Sequence, residues 1–184
     1  PHIAIISSSI RKGRKSQRVA LFLKELLVRR NYATVEILDL LEYNFPVFNE
    51  RLRFLESPPA SAIDFAHRIR SADGVIMVTP EYNGGYPASL KNAIDLLTDE
   101  WYHKPVAIST ISDGPFGGNQ VIISLQFILW KLKAWTVPAV FPVSRVDESL
   151  DDTGNQADKT TAAERAERFI DEIIMCIEAK NRIL

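Results

Sequence analysis

Five short runs of β-branched and aliphatic residues recur along the chain, and a segment with a helical repeat follows nearly every one of them. His2 to Ser7 is the first run. Its apolar residues are nearly continuous, as in a strand covered on both faces. Ser16 to Arg30 follows, with Val19, Leu23, Leu26 and Leu27 spaced to share one helical face. Thr34 to Leu38 reads as the second strand. Asp39 to Pro59 is a long connection, part of it helical, carrying Pro46, Pro58 and Pro59. Ala60 to Ser71 reads as a helix that ends at Ala72-Asp73-Gly74, and Val75 to Val78 as the third strand. Pro87 suits the first turn of a helix, where a missing N–H costs nothing; that helix runs through Leu90 to Leu97. Pro105 to Thr110 is the fourth strand, and Val121 to Ala134 a helix. Thr136 to Phe141 is the fifth strand, placed at an edge because Pro138 cannot donate to a central ladder. Asp158 to Ile177 closes the chain as an amphipathic helix.

Strands alternating with helices predict an α/β fold with a doubly wound parallel sheet. Right-handed crossovers then place helices on both faces. A length of 184 residues suits one domain spanning 1–184. The net charge of −1 gives no basic excess of the kind expected of a nucleic-acid binder. The lone cysteine, Cys176, excludes an intramolecular disulfide, which fits a reducing compartment. No apolar run approaches the roughly 20 residues a membrane helix needs. The first residues read as strand, not as a signal peptide, so a cytoplasmic protein is expected.

In doubly wound sheets, ligands bind beyond the carboxyl ends of the strands, at the switch point of the strand order. The loops after strands one, three and four are therefore the candidates. The first, Ser7 to Arg18, gathers hydroxyls, a glycine and several cations at a helix N-terminus. Unpaired amides and the helix dipole favour an anion there. The spacing is neither that of a Walker loop nor that of a dinucleotide fingerprint. The bland alternative is a solvated basic loop whose Ser16 caps the helix. The second loop, Pro80-Glu81-Tyr82-Asn83-Gly84-Gly85-Tyr86-Pro87, has glycines that let backbone approach a flat ligand, and tyrosines that add stacking surface. The third, Ser109 to Asn119, carries Gly114, Gly117 and Gly118. Either of the last two alone reads as an ordinary turn. Together, three polar loops at one sheet edge describe a site for a mononucleotide.

At Pro80-Glu81-Tyr82-Asn83, followed by Pro87-Ala88-Ser89-Leu90-Lys91-Asn92-Ala93-Ile94-Asp95, the sequence resembles the NADPH-dependent FMN reductase family, which includes quinone, azo-dye and chromate reductases. Ser9-Ile10-Arg11-Lys12-Gly13-Arg14 and the three glycines of the third loop resemble it too. The resemblance implies a flavodoxin-like five-stranded sheet of order 2-1-3-4-5. It implies an FMN phosphate on Ser9, Arg11, Ser16, Gln17 and Arg18. It places the flavin ring along Pro80, Glu81, Tyr82, Asn83 and Gly84 and near Ser112, Asp113 and Gly114. It further implies NAD(P)H as co-substrate, a small acceptor (quinone, azo compound, free flavin or metal oxyanion), and a homodimer or homotetramer. Ser8 and Asp113 stand where the family usually has glycine, and a carboxylate beside the flavin would disfavour its reduced anion.

The flavin would carry the chemistry, so no side chain is expected to act as acid, base or metal ligand. Two alternatives stay open: an FMN-binding electron carrier or redox-responsive interaction protein, and a relative that binds no flavin. His2, His67 and His103 lack metal-ligand spacing and read as structural or exposed. Cys176, Trp130 and Trp135 read as core, and Trp101 and Tyr102 as packing or interface residues.

Overall fold

A computed structural model describes residues 1–156 and 161–184. Its centre is a five-stranded parallel sheet of order β2-β1-β3-β4-β5. The strands are β1 (His2–Ser7), β2 (Thr34–Asp39), β3 (Gly74–Pro80), β4 (Pro105–Ile111) and β5 (Trp135–Val143). The register follows the apolar runs, with Ile5 lying between Ile37 and Ile76. β1, β3 and β4 are buried almost end to end, as strands covered on both faces must be.

One face is covered by α1 (Ser16–Arg29) and α7 (Thr161–Ile183). The other carries α3 (Ala60–Ser71), α4 (Ala88–Leu96) and α5 (Val121–Lys131). The expected face of α1 is the observed one: Val19, Leu23, Leu26 and Leu27 are buried. Two short helices, α2 (Leu40–Tyr43) and α6 (Val146–Ser149), follow β2 and β5. Residues 39–59 otherwise hold only a 3₁₀ turn at Leu52–Phe54. β5 is an edge strand, as Pro138 requires, and its register against β4 shifts between Val106 and Ile108. The bulge lets the proline sit outside the ladder.

Some expectations fail. α5 stops at Lys131, because Leu132 and Lys133 turn the chain and Lys133 takes a positive φ of 58°. α7 runs on to Ile183, and Asp158 to Thr160 lie outside the described residues. Trp130 is 65 % exposed and Trp135 only half-buried, so neither is core, whereas Trp101 is fully buried. Cys176 is half-buried, packed against the core from its rim.

Candidate functional site

The carboxyl ends of β1, β3 and β4 bring the three loops together around an open cleft of about 130 Å³. Ser9, Arg11, Gly13, Arg14 and Lys15 line it from the first loop. Pro80, Glu81 and Tyr82 line it from the second, and Ile111, Ser112 and Asp113 from the third. Of the residues expected at a nucleotide site, Ser9, Arg11, Pro80, Glu81, Tyr82, Ser112 and Asp113 share this cleft. Ser16, Gln17, Arg18, Asn83, Gly84 and Gly114 do not line it.

In the first loop the chain leaves β1 through three buried serines, Ser7, Ser8 and Ser9. It then turns at Gly13, whose φ of 72° favours glycine. The cations divide by their partners. Arg14 forks onto Asp39, a nearly buried carboxylate at the end of β2, and donates to Ser9 O at 3.2 Å. Lys15 donates to Asp113 at 2.7 Å and also to Asp147. Arg18 pairs with Asp147 at 2.8 Å and with Asp152, so its side chain is turned toward α6. These contacts raise the Lys15 pKa, Asp113 contributing most, and lower that of Asp147, with the Lys15 hydrogen bond the main cause. Arg11 and Lys12 have no carboxylate partner among the described residues. The Arg11 guanidinium stands 5.9 Å from the centre of the Tyr82 ring.

The bland reading of Ser16 does not hold. The N-cap of α1 is Lys15, which makes no side-chain cap, and the buried Ser16 hydroxyl lies 3.2 Å from the Ser7 hydroxyl. The leading amides of a 14-residue helix therefore face the loop without a side-chain acceptor. Two oxygens close by, Ser8 Oγ and Gln17 Oε1, are buried with no partner.

The second loop is a tight hairpin. Tyr82 and Gly85 exchange both backbone hydrogen bonds, at 2.7 and 3.1 Å. Asn83 (φ 53°) and Gly84 (φ 80°) are both left-handed, the conformation for which an Asn-Gly pair is selected. This signal was available in the sequence, though the turn explains Gly84 without a ligand. The Tyr82 hydroxyl and Ser9 Oγ are 2.6 Å apart, which ties the second loop to the first. Glu81 accepts the Gln120 amide at 3.1 Å at the start of α5, so its carboxylate is engaged in positioning that helix.

In the third loop, Ser112 Oγ donates to Gly114 O at 2.8 Å and accepts from the Gly117 amide at 2.9 Å. Gly118 (φ 71°) lies so close to β4 that a Cβ would come within 2.9 Å of Ile111 O. The packing of the loop on the sheet requires this glycine. A Cβ on Gly114 would meet nothing within 4 Å. Clefts of similar volume occur elsewhere, for instance between β5 and α7. The cleft at the carboxyl edge lies beside both an uncapped helix N-terminus and the unpaired Arg11.

A 2-1-3-4-5 parallel sheet with helices on both faces, and a cleft of polar loops at its switch point, defines a flavodoxin-like protein. The profile of the family described as NADPH-dependent FMN reductase matches residues 1–148, and the chain belongs to that family. It is an oxidoreductase that uses FMN with NAD(P)H as electron donor. The chain is 31 % identical over 191 residues to a quinone reductase of Pseudomonas putida, covering 98 % of this chain and 97 % of that protein. It is 33 % identical over 149 residues to an NAD(P)H-dependent FMN reductase of Schizosaccharomyces pombe, covering 76 % and 71 %. Among solved structures it resembles the flavoenzyme FerB of Paracoccus denitrificans, an NAD(P)H:(acceptor) oxidoreductase. That match has a TM-score of 0.76 and 27 % identity, covering 97 % of this chain and 98 % of FerB.

Proposed function

We propose that the cleft holds FMN, with its phosphate at the N-terminus of α1, and that NAD(P)H and then a flat acceptor of the quinone class use the same open side in turn. The observation that carries this reading is the uncapped start of α1 beside Arg11, a guanidinium without a carboxylate. Free amides, a helix dipole and an unpaired guanidinium are the groups a phosphate needs. Ser8 Oγ, a buried hydroxyl without a partner, can donate to the same group.

The phosphate falls to Ser9, Arg11, Ser16 and Gln17. Arg18 drops from this set, because its side chain is engaged by Asp147 and Asp152. In this reading it holds α6 against α1. The ring lies along Pro80 to Gly84 and beside Ser112 to Gly114, with Tyr82 fixed by Ser9 and the third loop fixed by its Ser112 bonds. Bound FMN supplies hydride acceptance from the nicotinamide and delivery of two electrons to the acceptor. The protein's part is to orient donor and acceptor and to set the local charge. Lys15 neutralises Asp113, so the carboxylate at the third loop is not a bare charge beside the ring. The carrier alternative finds no acidic excess in support, since the net charge is −1.

The test has two stages. Apoprotein mixed with FMN and passed over a sizing column is expected to retain flavin absorbance; loss of all flavin refutes the site. The loaded protein, mixed anaerobically with NADPH, is expected to bleach and to regain colour on addition of a quinone. Flavin that stays oxidised with NADPH refutes the enzymatic reading and favours a carrier.

A further inference from the structure

The cations around the start of α1 are not equally free. Lys15 is the N-cap of that helix and lines the cleft. An ammonium has three N–H donors. One goes to Asp113 of the third loop at 2.7 Å, and one to Asp147 of α6. The other oxygen of Asp147 accepts from Arg18 at 2.8 Å. A carboxylate from α6 is thereby set against the first turn of α1.

Holding α6 in place does not require this carboxylate. Arg145 and Val146 donate their amides to Gly114 O and Ser112 O, at 3.1 and 3.2 Å. Val146 and Leu150 are buried. Arg18 also donates to Leu150 O at 3.3 Å and pairs with Asp152. These contacts fix α6 to the third loop, the core and α1. The Asp147 side chain is 57 % exposed, and exposed ion pairs contribute little to stability. What Asp147 adds is an anion on Lys15, at a helix end whose dipole already favours one.

We propose that Asp147 sets cofactor selectivity: it occupies the Lys15 ammonium before FMN arrives and yields it to the FMN phosphate. The inference rests on the proposed function, which puts the phosphate at the same helix end, and it adds Lys15 to the groups that hold the phosphate. A phosphate monoester carries a charge of about −1.5 to −2 near neutral pH, against −1 for a carboxylate, so the phosphate takes the ammonium. The bond from Lys15 to Asp113 uses a different donor and stays in place. Riboflavin has no phosphate and cannot displace Asp147. The competition therefore weakens FMN binding and narrows the margin between FMN and riboflavin.

Affinities for FMN and riboflavin, read from flavin fluorescence on the apoproteins, test this. Asp147→Asn keeps the shape of the side chain and removes its charge from Lys15. It is expected to tighten FMN binding about two- to fivefold, the range of one exposed ion pair, and to leave riboflavin binding unchanged. Asp152→Asn removes an equal charge that meets Arg18 instead of Lys15, and is expected to change neither affinity. Unchanged or weaker FMN binding in Asp147→Asn overturns the proposal. So does riboflavin binding that tightens in step, or an equal gain from Asp152→Asn. A second readout needs no flavin. Inorganic phosphate at tens of millimolar is expected to raise the Tm of the Asp147→Asn apoprotein more than that of wild type, and equal rises overturn the proposal. Wild-type protein that binds no FMN refutes the proposed function instead, and the phosphate melts then still decide the competition for Lys15.

Discussion

Arg11 and Arg14 are three residues apart, and the structure gives them opposite jobs. Arg14 neutralises Asp39, which is 4 % exposed. Arg11 is exposed and meets only the face of Tyr82. Arg11→Ala therefore leaves no buried charge behind, and its effect on stability is expected to stay within about 0.5 kcal/mol. If Arg11 grips the FMN phosphate, its removal costs a charge-assisted hydrogen bond of about 1.5–3 kcal/mol, or a roughly 10- to 150-fold weaker Kd. Arg14→Ala strands the Asp39 carboxylate, a loss of about 3–5 kcal/mol. At about 2–4 °C per kcal/mol for a chain of this size, Tm falls by roughly 6–20 °C. Thermal melts by circular dichroism and FMN titrations on the two apoproteins separate the roles. An Arg11→Ala protein that binds FMN within twofold of wild type refutes the phosphate assignment. An Arg14→Ala protein that melts with wild type refutes the account of the Asp39 pair.

Three further outcomes are expected. Gly118→Ala forces a β-carbon onto Ile111 O at a positive φ and is expected to cost about 2 kcal/mol or more, lowering Tm by at least roughly 4 °C. Gly114→Ala, which meets open space, is expected to melt within about 1 °C of wild type. For flavin affinity, Lys15→Ala is expected to weaken FMN binding about two- to fivefold more when Asp113 is present than in an Asp113→Ala background, because it bares the carboxylate. Equal losses in both backgrounds refute the neutralising role. Lys104 is 5 % exposed, and its ammonium donates to Arg70 O and Ala72 O at the end of α3. Burial lowers its pKa from 10.5 to about 8. Between those values the unfolded chain holds a proton that the folded chain has released, so stability rises with pH across that window. Below pH 8 both states are protonated and the slope vanishes. Urea denaturation of wild type against Lys104→Met is expected to show a rise of about 1–3 kcal/mol from pH 8 to 10.5 in wild type only; parallel curves refute the shift.

The alternation of apolar runs and helical repeats determined the strands, their burial and the edge position of β5, because those features depend on local period and on Pro138. The long, gapless Pro80–Asp95 signature carried the family and its cofactor class. The Asn-Gly hairpin was equally local, though its left-handed pair passed unread. The division of the cations was not legible. Arg11, Arg14, Lys15 and Arg18 look alike in a basic loop, and the carboxylates that engage the last three, Asp39, Asp113, Asp147 and Asp152, lie 25 to 134 positions away. Nor could sequence decide which tryptophan is buried. Trp101 and Trp130 both sit among apolar residues, yet one fills the core and the other extends an exposed stripe. Periodicity records which residues share a face of an element. What that face meets is settled only when the sheet closes, because burial and ion pairing depend on neighbours supplied by distant parts of the chain.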